Sequence, residues 1–124
     1  VCPVHSLQLV AKDDIDYRYK QADRHVLDEA FALRDTADDV LIVRHGLLTD
    51  TSIANIAFWN GCEWHTPAQP LLAGTQRRYL LDTGQIKETD IPVASLGNYR
   101  HIRLFNALIP FGEVELPVGQ IRMY

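Results

Sequence analysis

Apolar and polar positions change rhythm several times along this chain. "DIDYRYK" (Asp14 to Lys20) alternates, with Ile15, Tyr17 and Tyr19 on one face, and predicts a half-buried strand. Ala22, Val26, Leu27, Ala30, Phe31 and Leu33 then recur at helical spacing, which predicts a helix over 21–35 with a buried stripe. The opening "VCPVHSLQLV" reads as a strand entering something larger, and "DDVLIV" (Asp38 to Val43) has strand length. "RHG" (Arg44 to Gly46) reads as a tight turn with Gly46 at positive φ, and "LLTDTS" as the returning strand. "SIANIAFW" and "CEWHT" flank Asn60-Gly61, the sequence signature of a type I′ hairpin.

Pro67 and Pro70 then interrupt the sheet. Gly74 and Thr75 precede a short helix that Gly84 ends. "ASLGNYR" reads as a helical turn, and "HIRLFNALI" as a buried strand with Asn106 in its apolar middle. "EVELPVGQIRMY" alternates like a strand. Hairpins mixed with helices predict an α+β domain rather than a parallel βαβ array.

Composition narrows the function classes. At 124 residues, with 47% hydrophobic and 23% charged residues, the chain has the make-up of one folded domain. A net charge of −4 and no basic run argue against nucleic acid as a main partner. No apolar stretch approaches a membrane span and no secretory signal is visible, so a cytoplasmic protein is expected. Cys2 and Cys62 form no CxxC motif and read as free thiols. The five histidines lack ligand spacing such as HExxH, so no metal site is expected. Trp59 and Trp64 read as packing residues.

Four places could carry chemistry. Lys20 is one of only three lysines and ends an aromatic-rich strand. Burial there would lower its pKa and make it a nucleophilic amine; otherwise it snorkels at a strand end. Asp50 is either a turn or cap residue or an acid facing a ring nitrogen. Gly74-Thr75-Gln76 is either a plain helix cap or an anion site made of free amides. Asn106, within an apolar run, needs a partner from backbone or ligand.

Taken in order, "YRYKQADR", "DDVLIVRHGLLTDTSIANIAFW", "WHTPAQPLLAGTQRRYLL" and "HIRLFNALIP" resemble the class IV aminotransferase family. That family comprises branched-chain and D-amino acid aminotransferases and aminodeoxychorismate lyase, all pyridoxal phosphate enzymes of fold type IV. The resemblance covers nearly the whole chain but only the C-terminal half of such an enzyme. It implies a D-amino acid aminotransferase-like fold, a hairpin-rich mixed sheet or pseudo-barrel with helices. Residues 1–124 would form the cofactor-binding domain, with no N-terminal domain in the sequence.

Position by position, Lys20 matches the Schiff-base lysine, which also shuttles the α-proton. Asp50 matches the acid at the pyridine nitrogen, usually Glu. Asn55 matches the Asn that closes that motif, and Thr66 the Thr before the crossing loop. Gly74, Thr75 and Gln76 match the first phosphate-binding turn, and Arg77 the basic residue after it. Asn106 and Ala107 match a second phosphate-side position. Ala57, Thr75 and Trp64 depart from the usual types. The implied activity on a small amino substrate is transamination first and elimination of pyruvate second, with a non-catalytic member as a third reading. The implied assembly is a homodimer.

Overall fold

The computed structural model describes residues 4–11, 31–34, 36–72 and 74–123. The strand expected over 14–20, with Lys20 at its end, lies outside the described residues, as does nearly all of the helix expected over 21–35.

Two sheets enclose the core. The first has the order β3-β2-β1-β9, built from β1 (Leu7–Ala11), β2 (Asp39–Arg44), β3 (Leu47–Leu48) and β9 (Ile121–Arg122). The second has the order β6-β5-β4-β7-β8, built from β4 (Asn55–Trp59), β5 (Trp64–Pro67), β6 (Lys87–Thr89), β7 (His101–Phe105) and β8 (Val114–Pro117). Helix α1 (Thr75–Asp82) connects β5 to β6, which lie parallel. β1 is parallel to both β2 and β9, whereas the second sheet is otherwise antiparallel. This is the mixed α+β architecture expected.

The alternation of side chains explains the layers. Leu9, Leu41 and Val43 of the first sheet meet Ile56, Phe58, Ile102, Leu104 and Leu116 of the second in one apolar cluster. β2 is buried along both faces, which is why "DVLIV" is a continuous apolar run rather than an alternating one. On the far side of the second sheet, Ala57 and Phe105 pack with Leu80 of α1 and Ile86. That contact seats the C-terminal half of α1 on the middle of β4.

Local chemistry redirected several expectations. The two-residue hairpin loop with positive φ occurs at His45 (φ 53) and Gly46 (φ 77), between β2 and β3. At Asn60–Gly61 the hairpin forms, but its loop has four residues, because the Asn60 side chain accepts the Cys62 and Glu63 amides at 2.8 and 2.9 Å. "LLTDTS" is strand only at Leu47–Leu48. β7 ends at Phe105, so Asn106 is not mid-strand: its Oδ1 accepts the Leu108 and Ile109 amides at 2.8 and 2.9 Å and turns the chain. The expected helical turn is a 3-10 segment at Val93–Asn98. The polar edge strand β6 carries no apolar signal and was not expected.

Candidate functional site

The stretch after β3 is polar yet buried. Asp50 and Thr51 are 0% exposed and Ser52 is 2% exposed. Each is hydrogen-bonded, as buried polar groups must be. Thr51 Oγ1 accepts the Ala54 amide at 3.0 Å, and Ser52 Oγ donates to Asp39 Oδ1 at 2.8 Å. Burial pushes the Asp39 carboxyl above its ordinary range, against the Val40 amide and the Ser52 contacts.

Asp50 is the centre of this region. Its Oδ2 accepts the Leu71 amide at 2.5 Å and the Leu72 amide at 2.8 Å. Its Oδ1 accepts Asn55 Nδ2 at 3.0 Å. Burial pushes the carboxyl up to about 7, against the Leu72 amide, Asn55, the Leu71 amide and the charge of Arg77. A carboxylate has roughly four acceptor positions, so one on Oδ1 is unused by these three bonds.

Asn55, first residue of β4, carries the contact onward. Its Nδ2 also donates to the Leu72 carbonyl at 2.9 Å. Its Oδ1 stands 2.1 Å from where a Cβ on residue 74 would lie. Gly74 is therefore required by close approach, since it has an ordinary φ of −72°. The structure thus brings Asp50, Asn55 and Gly74 into one contiguous cluster.

Gly74 caps α1 without a side-chain hydrogen bond, and the first turn holds no acidic residue. The first intrahelical bond runs from the Arg78 amide to the Gly74 carbonyl. The amides of Thr75, Gln76 and Arg77 therefore have no helical acceptor and favour an anion. Thr75 and Gln76 line an open cleft of about 470 Å³ together with Tyr79, Ala107 and Pro110. The two separate sequence stretches meet at this cleft through Thr75, Gln76 and Ala107.

Side chains there have other work. Gln76 Nε2 donates to the carbonyls of Asn106 and, at 2.8 Å, Ile109, while its Oε1 accepts the Phe111 amide at 2.7 Å. Asn106 Nδ2 donates to the Ile53 carbonyl at 3.1 Å. Both side chains organise the 106–111 loop. Arg77 donates to the Pro67 carbonyl at 3.1 Å and to Glu88 at 2.7 Å. Its Nε is buried with no partner among the described residues. Thr66 is buried and donates to the Ile56 carbonyl at 2.6 Å, bracing the end of β5.

The sequence reading missed the Leu71 and Leu72 amides, which carry no residue-type signal. A second cleft, of about 350 Å³, is lined by Trp59, Trp64, His101, Arg103 and Glu115. Its groups satisfy one another: Trp59 packs on Trp64, and Arg103 lies over Trp64 while pairing with Glu115 at 2.7 Å. Among the described residues, no group of three His, Cys, Asp or Glu is placed to hold a metal, and no helix is long and apolar enough to cross a membrane.

The sequence model of the family described as amino-transferase class IV matches residues 5–116. An uncharacterised protein of Haemophilus influenzae is 41% identical over 103 residues, covering 83% of this chain and 55% of that protein. A Schizosaccharomyces pombe protein provisionally named aminodeoxychorismate lyase is 36% identical over 98 residues, covering 71% of this chain and 42% of its own length. The chain thus spans about half the length of these relatives. A Haemophilus somnus structure, provisionally named 4-amino-4-deoxychorismate lyase, superposes with a TM-score of 0.79 at 35% identity, covering 88% of this chain and 56% of that one. A Brucella abortus aminotransferase bound to pyridoxal phosphate shares the fold, with a TM-score of 0.72 at 14% identity over 98% of this chain and 48% of its own.

Proposed function

Because the chain belongs to the class IV aminotransferase family, we propose that it forms the cofactor-binding part of a pyridoxal phosphate enzyme acting on small amino compounds. The observation that carries this reading is the cleft where unbonded amides at the start of α1 meet Ala107, beside the Asp50–Asn55–Gly74 cluster. The donor set fits a phosphate: backbone amides at a helix start, an uncapped Gly74 and no acid in the first turn.

When bound, pyridoxal phosphate supplies an electron sink for bond breaking at the substrate's α-carbon. The chain's residues supply position and proton handling. The Thr75 and Gln76 amides hold the phosphate, and Gln76 and Asn106 fix the loop that carries Ala107. The free acceptor position on Asp50 Oδ1 suits a protonated ring nitrogen. Lys20, matched by its place in the motif, is the amine that holds the cofactor and carries the α-proton.

Two outcomes share this machinery. Elimination releasing pyruvate from an aminodeoxychorismate-type substrate is favoured by the two relatives above 30% identity that bear lyase names. Amino transfer, the reading expected from the sequence, is the alternative. Pyruvate formed from aminodeoxychorismate with no amino acceptor present establishes elimination. Product formation only when a 2-oxo acid is added establishes transfer, and no cofactor-dependent absorbance in the full-length protein would reject both.

Assembly as a homodimer belongs to the same proposal. Leu108 is 84% exposed and Tyr79 is 61% exposed, both close to the cleft, and a covering partner would bury them. Light scattering that gives a monomer across a wide concentration range would reject it.

A further inference from the structure

We propose that Asp50 is a positioning residue for the anion-binding turn, setting where the Gly74–Gln76 amides stand through the Leu71 and Leu72 amides and through Asn55. This rests on the reading of that turn as a phosphate site.

The connection loop between β5 and α1 is tied at its start by the Ala68 amide, which donates to the Thr89 carbonyl at 3.0 Å. Further along, Leu71 and Leu72 anchor the loop to Asp50 and Asn55. Two consecutive amides, Leu71 and Leu72, converge on one carboxylate oxygen. The Leu72 carbonyl is held by Asn55 Nδ2, which simultaneously binds the other carboxylate oxygen. Asn55 Oδ1 then fills the space beside Gly74, so the backbone there can move neither inward nor carry a Cβ. One buried carboxyl group thereby fixes both amides before the turn and the side chain against which the turn rests. Charge-assisted bonds to amides are shorter and stronger than neutral ones, which suits a carboxylate to this task.

The shorter acid at this position follows from the same geometry. A Glu would add a methylene within a site that has no exposed surface and would carry the carboxylate past the Leu71 and Leu72 amides. An acid serving only a ring nitrogen would have no need of the Leu71 and Leu72 contacts.

The test compares two ligands that differ only in the phosphate, pyridoxal 5′-phosphate and pyridoxal, binding to the full-length protein and to Asp50→Asn. If Asp50 positions the turn, the preference for the phosphorylated ligand falls by about tenfold or more, the scale of a lost charge-assisted bond. If Asp50 acts only at the ring, both ligands weaken by the same factor, the preference is unchanged and the proposal fails. Asp50→Glu separates the roles again: the preference falls under the positioning role and is retained if the carboxylate serves the ring alone. Asn55→Ala, which keeps the Leu71 and Leu72 bonds, provides the readout if the Asp50 variants do not fold, and an unchanged preference there counts against the proposal.

A ligand-free measurement keeps this inference apart from the cofactor reading. Amide hydrogen exchange at Leu71 and Leu72 should quicken in Asp50→Asn while the core amide of Ile102 stays protected. Should the unaltered protein bind neither ligand, the cofactor reading fails. Exchange rates then decide the anchoring role, and unchanged Leu71 and Leu72 amides overturn it.

Discussion

The β4–β5 hairpin carries a polar network at each end, and the two differ in burial. At one end, Asp50, Asn55, Leu71 and Leu72 form a cluster in which Asp50 is 0% and Asn55 2% exposed. At the other, Tyr99 Oη meets His65 Nδ1 at 2.9 Å, His65 Nε2 meets Glu63 at 2.8 Å, and Glu63 meets Lys87 at 2.8 Å. Drawn as bonds, the two look alike. The Glu63–Lys87 pair of the second network, with Lys87 67% and Glu63 40% exposed, exchanges its partners with water and is screened by salt, so it contributes little. Without water the first cannot lose a partner without leaving a stranded group. Position is therefore specified at the buried end, which is also the end that abuts Gly74 at the start of α1.

Breaking this contrast should begin at Gly74. Gly74→Ala places a methyl 2.1 Å from Asn55 Oδ1. It should cost about 3 kcal/mol, the upper range for overpacking, in urea denaturation of the full-length protein. Adding Asn55→Ala removes the atom in the way, so the double variant should recover part of that loss. No recovery would mean that the contact is not what constrains Gly74.

The next effect is a pH dependence. The folded-state value of Asp50, about 7, lies above its ordinary 3.8, so between these values folding takes up a proton. The stabilising share is whole below pH 3.8 and is lost as pH rises towards 7. Asp50→Asn lacks this slope. The stability of the unaltered protein relative to the variant should therefore fall between about pH 4 and pH 7 and level off above that. Parallel pH profiles would show that the carboxyl is not perturbed by burial.

Smaller again is Thr66→Val, which removes one buried donor to the Ile56 carbonyl and should cost about 1 kcal/mol in the same denaturation assay. At the exposed end, Lys87→Ala should leave the denaturation midpoint unchanged within error, and a clear drop would erase the distinction between the two networks.

The sequence carried much of this architecture for identifiable reasons. The run "DVLIV" and the apolar stretches flanking Asn60–Gly61 are local patterns, and β2, β4 and β5 lie where those patterns do. Gly74-Thr75 marked the start of α1 because a helix start is also a local event. The apolar flanks of Asn106 predict a mid-strand position, while its side chain's bonds to two following amides end the strand. The burial of Asp50 was not legible. An Asp before Thr-Ser has the composition of an exposed turn, and its partners lie 21 and 22 residues away as backbone amides. The packing of Asn55 Oδ1 on Gly74 likewise depends on two elements meeting in space. Lys20 lies outside the described residues, so its part rests on its place in the motif.

That part is also the most direct test of the cofactor reading. Borohydride reduction of the full-length protein with pyridoxal phosphate, followed by peptide mapping, should fix the phosphopyridoxyl group on the peptide that contains Lys20. Incorporation at Lys12 or Lys87 instead, or none at all, would contradict it.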